Sequence, residues 1–110
     1  MEGRKYEVKA YGPDFIYQGE TGYFQFYHYS AGVLADPTTS YKVAIKCLED
    51  NQVVVANTTT LTKDATGTFS YSYACSATAQ LGWYMAQAIM TSTTDVNMEG
   101  VVYFQVKEAA

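Results

Sequence analysis

The chain of 110 residues is long enough for one two-layer core and too short for two independent ones. It carries 11 Tyr, 5 Phe and 8 Gly with only 16% charged residues, an all-β profile. Net charge is −4 and the basic residues Arg4, Lys5, Lys9, Lys42, Lys46, Lys63 and Lys107 are scattered, which argues against a nucleic-acid partner; no apolar run suits a membrane-spanning helix, and the N-terminus has no secretory h-region.

Segments with a period of two follow one another between turn signals. Segment A, residues 5–17, is interrupted by Gly12-Pro13, which restricts it to an edge strand or two short pieces. Segment B (20–30) ends in a loop whose breakers are Gly32 and Asp36-Pro37. Segment C (41–48) turns through Glu49-Asp50-Asn51 into segment D (52–62), and Lys63 to Gly67 turns into segment E (68–76). Segments F (82–92) and G (100–107) complete the set, and no stretch has helical amphipathicity.

Seven strands at this spacing, in one domain covering residues 1–110, predict a seven-stranded antiparallel immunoglobulin-like β-sandwich. Gly82-x-Tyr84-x-Ala86 places Tyr84 at the start of segment F, where it resembles a tyrosine corner, a structural tyrosine whose hydroxyl bonds back to nearby backbone.

The stretches YQGETGYFQF (17–26), TGTFSYSY (66–73), AQLGWY (79–84) and GVVYFQV (100–106) resemble prokaryotic and viral Ig-like domains of the macroglobulin or bacterial Ig-like type. The resemblance implies a spacer, an adhesive module or a virion surface part, with no enzymatic activity. The chain departs from that pattern at Ala74-Cys75-Ser76, and in the apolar outer face of segment F.

On this register Cys47 and Cys75 both face inward, at strand ends that meet at one pole. A disulfide between them and a pair of buried free thiols are both open. His28, the lone histidine, is in phase with Phe24 and Phe26 and reads as a core-edge residue satisfied by backbone. No metal set, cofactor motif or catalytic motif is present, and Asp14, Asp36, Asp50, Asp64 and Asp95 fall at turns. Asn57-Thr58-Thr59 is a glycosylation sequon that carries little weight without a signal peptide.

With Tyr84, Ala86, Ala88 and Met90 inward, Trp83, Met85, Gln87 and Ile89 point outward. Segment F is central in its sheet, so Trp83, Met85, Ile89, Leu48, Ala44, Val101 and Tyr103 are expected to form one apolar surface rimmed by lysines and Gln, the composition of a protein interface. A slip of one residue would instead put Trp83 and Met85 in the core, at the cost of moving Tyr84 off the corner and exposing Ala86 and Ala88.

Segment B has a second outward stripe, Tyr23, Gln25, Tyr27 and Tyr29. It reads first as cross-strand packing, with a sugar-stacking face as the functional alternative.

A Met-Glu start, no signal and an apolar sheet face lead to a phage or archaeal-virus head decoration or accessory capsid protein, bound through this face. The alternative is an Ig-like domain of a prokaryotic extracellular surface protein or adhesin.

Overall fold

The computed structural model describes residues 6–92 and 95–109. Gly12-Pro13 splits segment A into β1 (Tyr6–Tyr11) and β2 (Phe15–Tyr17), which join different sheets. There follow β3 (Thr21–Ser30), β4 (Val33–Leu34), β5 (Ser40–Cys47), β6 (Val53–Thr58), β7 (Thr62–Ala65), β8 (Thr68–Ala74), β9 (Gly82–Ser92) and β10 (Asp95–Lys107). One sheet has the order β1-β3-β8-β7, with β4 also paired to β3; the other has the order β2-β10-β9-β5-β6. The fold is an all-β, Ig-like sandwich, 48 × 26 × 20 Å along its principal axes.

Several elements differ from the sequence expectation, each for a local reason. Segment D is two strands, because the chain leaves β6 at Thr58 and crosses to the opposite sheet, with buried Leu61 marking the crossing, before β7. The loop after β3 holds a two-residue turn, Ala31-Gly32, with φ of 51° and 83°. Positive φ at both central residues matches the strand twist and lets β4 fold back onto β3. Segment G begins earlier, at Asp95, with a register shift between Asp95 and Met98. The sheets are antiparallel except where β2 runs parallel to β10.

The core lies between the sheets. Phe24, Phe26 and Phe69 of one sheet face Val43, Ile45, Tyr84, Met90 and Phe104 of the other, all fully buried. Phe24 and Phe104 rings meet across the layers with centroids 5.2 Å apart. Ala86 and Ala88, in the middle of β9, are both at zero exposure. Each large side chain of this core contributes about 1.5–3 kcal/mol through burial.

One end of the sandwich is fastened by a polar cluster. His28 is fully buried and its Nδ1–H donates to the Ala35 carbonyl at 2.7 Å, while its backbone N–H donates to the Gly67 carbonyl at 2.8 Å. Asp36 accepts from the Gly67 N–H at 2.8 Å and from Lys63 Nζ at 2.6 Å. These bonds tie the segment after β4 to the β7–β8 turn. Gly67 has φ of +70°, and a Cβ there would stand 2.7 Å from the Ala35 nitrogen.

Candidate functional site: the outer face of the five-stranded sheet

Strand β9 occupies the residues expected of segment F, in the expected phase. Tyr84, Ala86, Ala88 and Met90 are buried, whereas Trp83, at the start of the sheet's central strand, remains 46% exposed. The pairings lay the outer face out in rows. Trp83 stands opposite Gln105 of β10, and Gln105 stands opposite Phe15 of β2. On the other side of Trp83 is Leu48, whose N–H donates to the Trp83 carbonyl at 2.8 Å. The next row runs Val53, Lys46, Met85, Tyr103, and beyond it come Ala44, Gln87, Val101 and then Lys42, Ile89, Glu99.

The face is therefore one continuous surface bearing Trp83, Met85, Ile89, Leu48, Val101 and Tyr103. Tyr103 is the most open of these at 58% exposure, while Met85, Ile89 and Val101 are half-buried by their neighbours. Phe15 and Tyr17 extend it onto β2, where their rings pack edge to face at 5.4 Å and Lys107 Nζ lies 4.4 Å over the Phe15 ring. Sequence reasoning missed these two aromatics. Their alternation about buried Ile16 was a signal, but nothing in the chain pattern places β2 beside β10.

The start of β9 is held by side-chain chemistry. Gly82 adopts φ of +123°, and the Glu49 side chain occupies the space where a Cβ would project. Glu49 Oε2 accepts the Trp83 N–H at 2.9 Å. The turn after β5 thereby fixes where Trp83 leaves the backbone.

Behind this face, the pole holds the tyrosines and thiols. Tyr84 donates its hydroxyl hydrogen to the Gln80 carbonyl at 2.6 Å, the geometry of a corner tyrosine, and its ring stacks on Phe104 at 5.4 Å. Burial, followed by the Cys47 thiol beside it, pushes the Tyr84 phenol well above its ordinary value. Burial, then the Cys75 thiol, pushes Tyr73 up to about 12.

Cys47 and Cys75 are both buried, and both are free thiols in this structure. Burial raises the Cys75 thiol, against the lowering effects of the Gly19 backbone and Tyr73, which leaves it a poor nucleophile at neutral pH.

A cleft of about 290 Å³ opens at this pole, lined by residues that include Cys47, Asp50, Gln52, Tyr73, Gln80 and Tyr84. Asp50 is the one carboxylate among its lining residues, and its Oδ1 accepts the Gln52 N–H at 3.0 Å. Among the described residues, no group of three or more His, Cys, Asp or Glu could hold a metal ion.

The tyrosine stripe lies on the opposite sheet. Tyr27 and Tyr29 are half-buried, Tyr27 against Tyr11 at 5.6 Å and Tyr29 under the Lys9 amine at 5.4 Å. Of the three tyrosines, only Tyr23 stands widely open, at 52% exposure. Asn57 of the sequon is exposed on β6, an edge strand.

No family model matches the chain, and no curated protein matches it either. Among solved structures, the chain is similar to the CARDB domain of the PF1109 protein from Pyrococcus furiosus in its solution NMR form, with a TM-score of 0.56, 18% identity and coverage of 96% of this chain and 97% of that one. It is also similar to the crystal structure of that domain in complex with di-metal ions, with a TM-score of 0.58, 16% identity and coverage of 93% and 87%. At this identity the likeness establishes the Ig-like sandwich along nearly the whole chain and leaves function to the site.

Proposed function

We propose that this protein is a non-enzymatic Ig-like module of a prokaryotic surface protein, which binds its partner through the outer face of the β2-β10-β9-β5-β6 sheet. The observation that carries this reading is Trp83, 46% exposed at the start of the central strand of its sheet, on the same face as Tyr103 at 58%. Soluble domains seldom leave a broad aromatic surface open without a use for it.

The fold of a domain from an archaeal protein favours a prokaryotic surface module, and nothing in the likeness favours the virion decoration that the apolar face also suggested. The di-metal ions of the Pyrococcus domain have no counterpart cluster among the described residues here, so metal plays no part in the proposal. The cleft, with a single engaged carboxylate, offers no acid–base pair.

Replacing Trp83 and Met85 with Thr should leave the circular dichroism spectrum and thermal midpoint close to wild type, because both side chains lie on the outer face of the sheet, away from the core between the layers. The same change should abolish retention of the purified chain on envelope fragments from its own cells. Retention at the wild-type level would overturn the proposal.

A further inference from the structure

Charge on this molecule is segregated. The chain is acidic, at net −4, yet three of the five described lysines, Lys42, Lys46 and Lys107, stand on the aromatic sheet face. Glu99 is the one carboxylate in the rows of that face, and Glu49 at its corner is engaged by the Trp83 amide. Glu7, Asp14, Glu20, Asp50, Asp64 and Glu108 lie elsewhere, on the opposite sheet, in turns or after β10. Of the other two lysines, Lys63 pairs with Asp36 and Lys9 lies over Tyr29 of the opposite sheet.

The cations are interleaved with the rings. Lys46 shares a row with Met85 and Tyr103, Lys107 covers Phe15, and Gln105 separates Trp83 from Phe15. A protein partner that dried such a surface would have to supply a carboxylate for each ammonium in the middle of the contact, where charge is normally depleted. An extended polymer makes no such demand, because its anions can stay wet on one edge while its apolar faces lie on the rings.

The ring spacing suits repeating units. Tyr103 stands one strand over from Trp83, about 5 Å at the strand spacing of a sheet, and is offset by roughly 7 Å along β10.

Resting on the surface-binding role proposed above, we infer that the partner is an anionic polysaccharide of the uronate class. Its sugar C–H faces stack on Trp83 and Tyr103, and its carboxylates meet Lys42, Lys46 and Lys107. A single-stranded nucleic acid also combines flat rings with anions, but three lysines on a chain of net −4 are few for a phosphate backbone.

The test is titration of the full chain with polygalacturonate and with alginate, following the fluorescence of Trp83, the protein's one tryptophan. Fully methyl-esterified polygalacturonate, which keeps the rings and loses the charge, and oligo(dT) serve as competitors. The expected result is a shift of Trp83 emission with at least one uronate polymer, binding at least tenfold weaker to the methyl ester and to oligo(dT), and affinity that falls with added salt. Calorimetry should show no binding for Trp83→Thr, recovery for Trp83→Phe, and at least tenfold weakening for Lys42→Gln combined with Lys46→Gln.

Absence of binding to both uronates, equal binding to the methyl ester, or tighter binding to oligo(dT) would overturn the inference. If envelope retention still depends on Trp83 in that case, the surface role stands and only the polysaccharide falls. If retention is independent of Trp83, both fall.

Discussion

Tyr84 joins the corner of the fold to its ionisation behaviour. Its hydroxyl bond to Gln80 links the start of β9 to the chain four residues earlier, and a neutral hydrogen bond of this kind contributes about 1 kcal/mol net. Tyr84→Phe should therefore lower the unfolding free energy by about 1 kcal/mol at neutral pH, measured by urea denaturation.

The raised phenols set the sign at alkaline pH. Stability from Tyr73 and Tyr84 is complete below about 10, where unfolded tyrosine is still protonated, and is lost as pH rises toward the folded values. For Tyr73 that folded value is about 12. The difference between wild type and Tyr84→Phe should then narrow above about pH 10, since phenylalanine cannot ionise; a constant difference would mean that Tyr84 titrates normally.

At the scale of elements, the His28, Asp36 and Gly67 cluster controls how the β7–β8 hairpin is held. The Lys63 hydrogen bond, and after it the Gly67 amide, holds the Asp36 carboxyl below its ordinary 3.8. A depressed carboxyl contributes stability that is complete above its unfolded value and is lost as pH falls through the folded one. Asp36→Asn should therefore flatten the acid limb of stability below about pH 4, followed as urea midpoints down to roughly pH 2. Gly67→Ala should cost about 1–3 kcal/mol at any pH, because it forces a side chain into a positive-φ site that backbone already fills.

How much of this was legible varied by element. Strand β9 was readable because its inner positions run large, small, small, large, with Ala86 and Ala88 between Tyr84 and Met90, against bulkier outer residues. The break at Gly12-Pro13 was readable as well, since proline lacks the N–H that a ladder needs. Which sheet each half of segment A would join was not, because parallel pairing with β10 is decided by two-layer closure rather than by local pattern. Segment D failed likewise: β6 and β7 sit on different sheets, yet QVVVANTTTLT has the propensity of one uninterrupted strand. The aromatic face consequently reads from the sequence without Phe15 and Tyr17, which the β2–β10 pairing adds to it.

For the molecule as a whole, the parallel contact between β2 and β10 decides how the sandwich carries load. Phe15 lies beside Gln105 and Tyr17 beside Lys107, so tension that enters ahead of β2 and leaves after β10 pulls the two strands in opposite directions along a common axis. The Gln105 N–H bond to the Asp14 carbonyl and the Gln18 N–H bond to the Lys107 carbonyl, each 3.0 Å, are then stressed together in shear instead of being unzipped one after another. Single-molecule pulling should show a lower rupture force for Gln105→Pro than for Gly67→Ala when the two are compared at equal thermal stability, and equal forces would mean that the load runs elsewhere. A module that clings to a surface through one sheet face would thus keep its mechanical clamp in that same sheet, one strand away from Trp83.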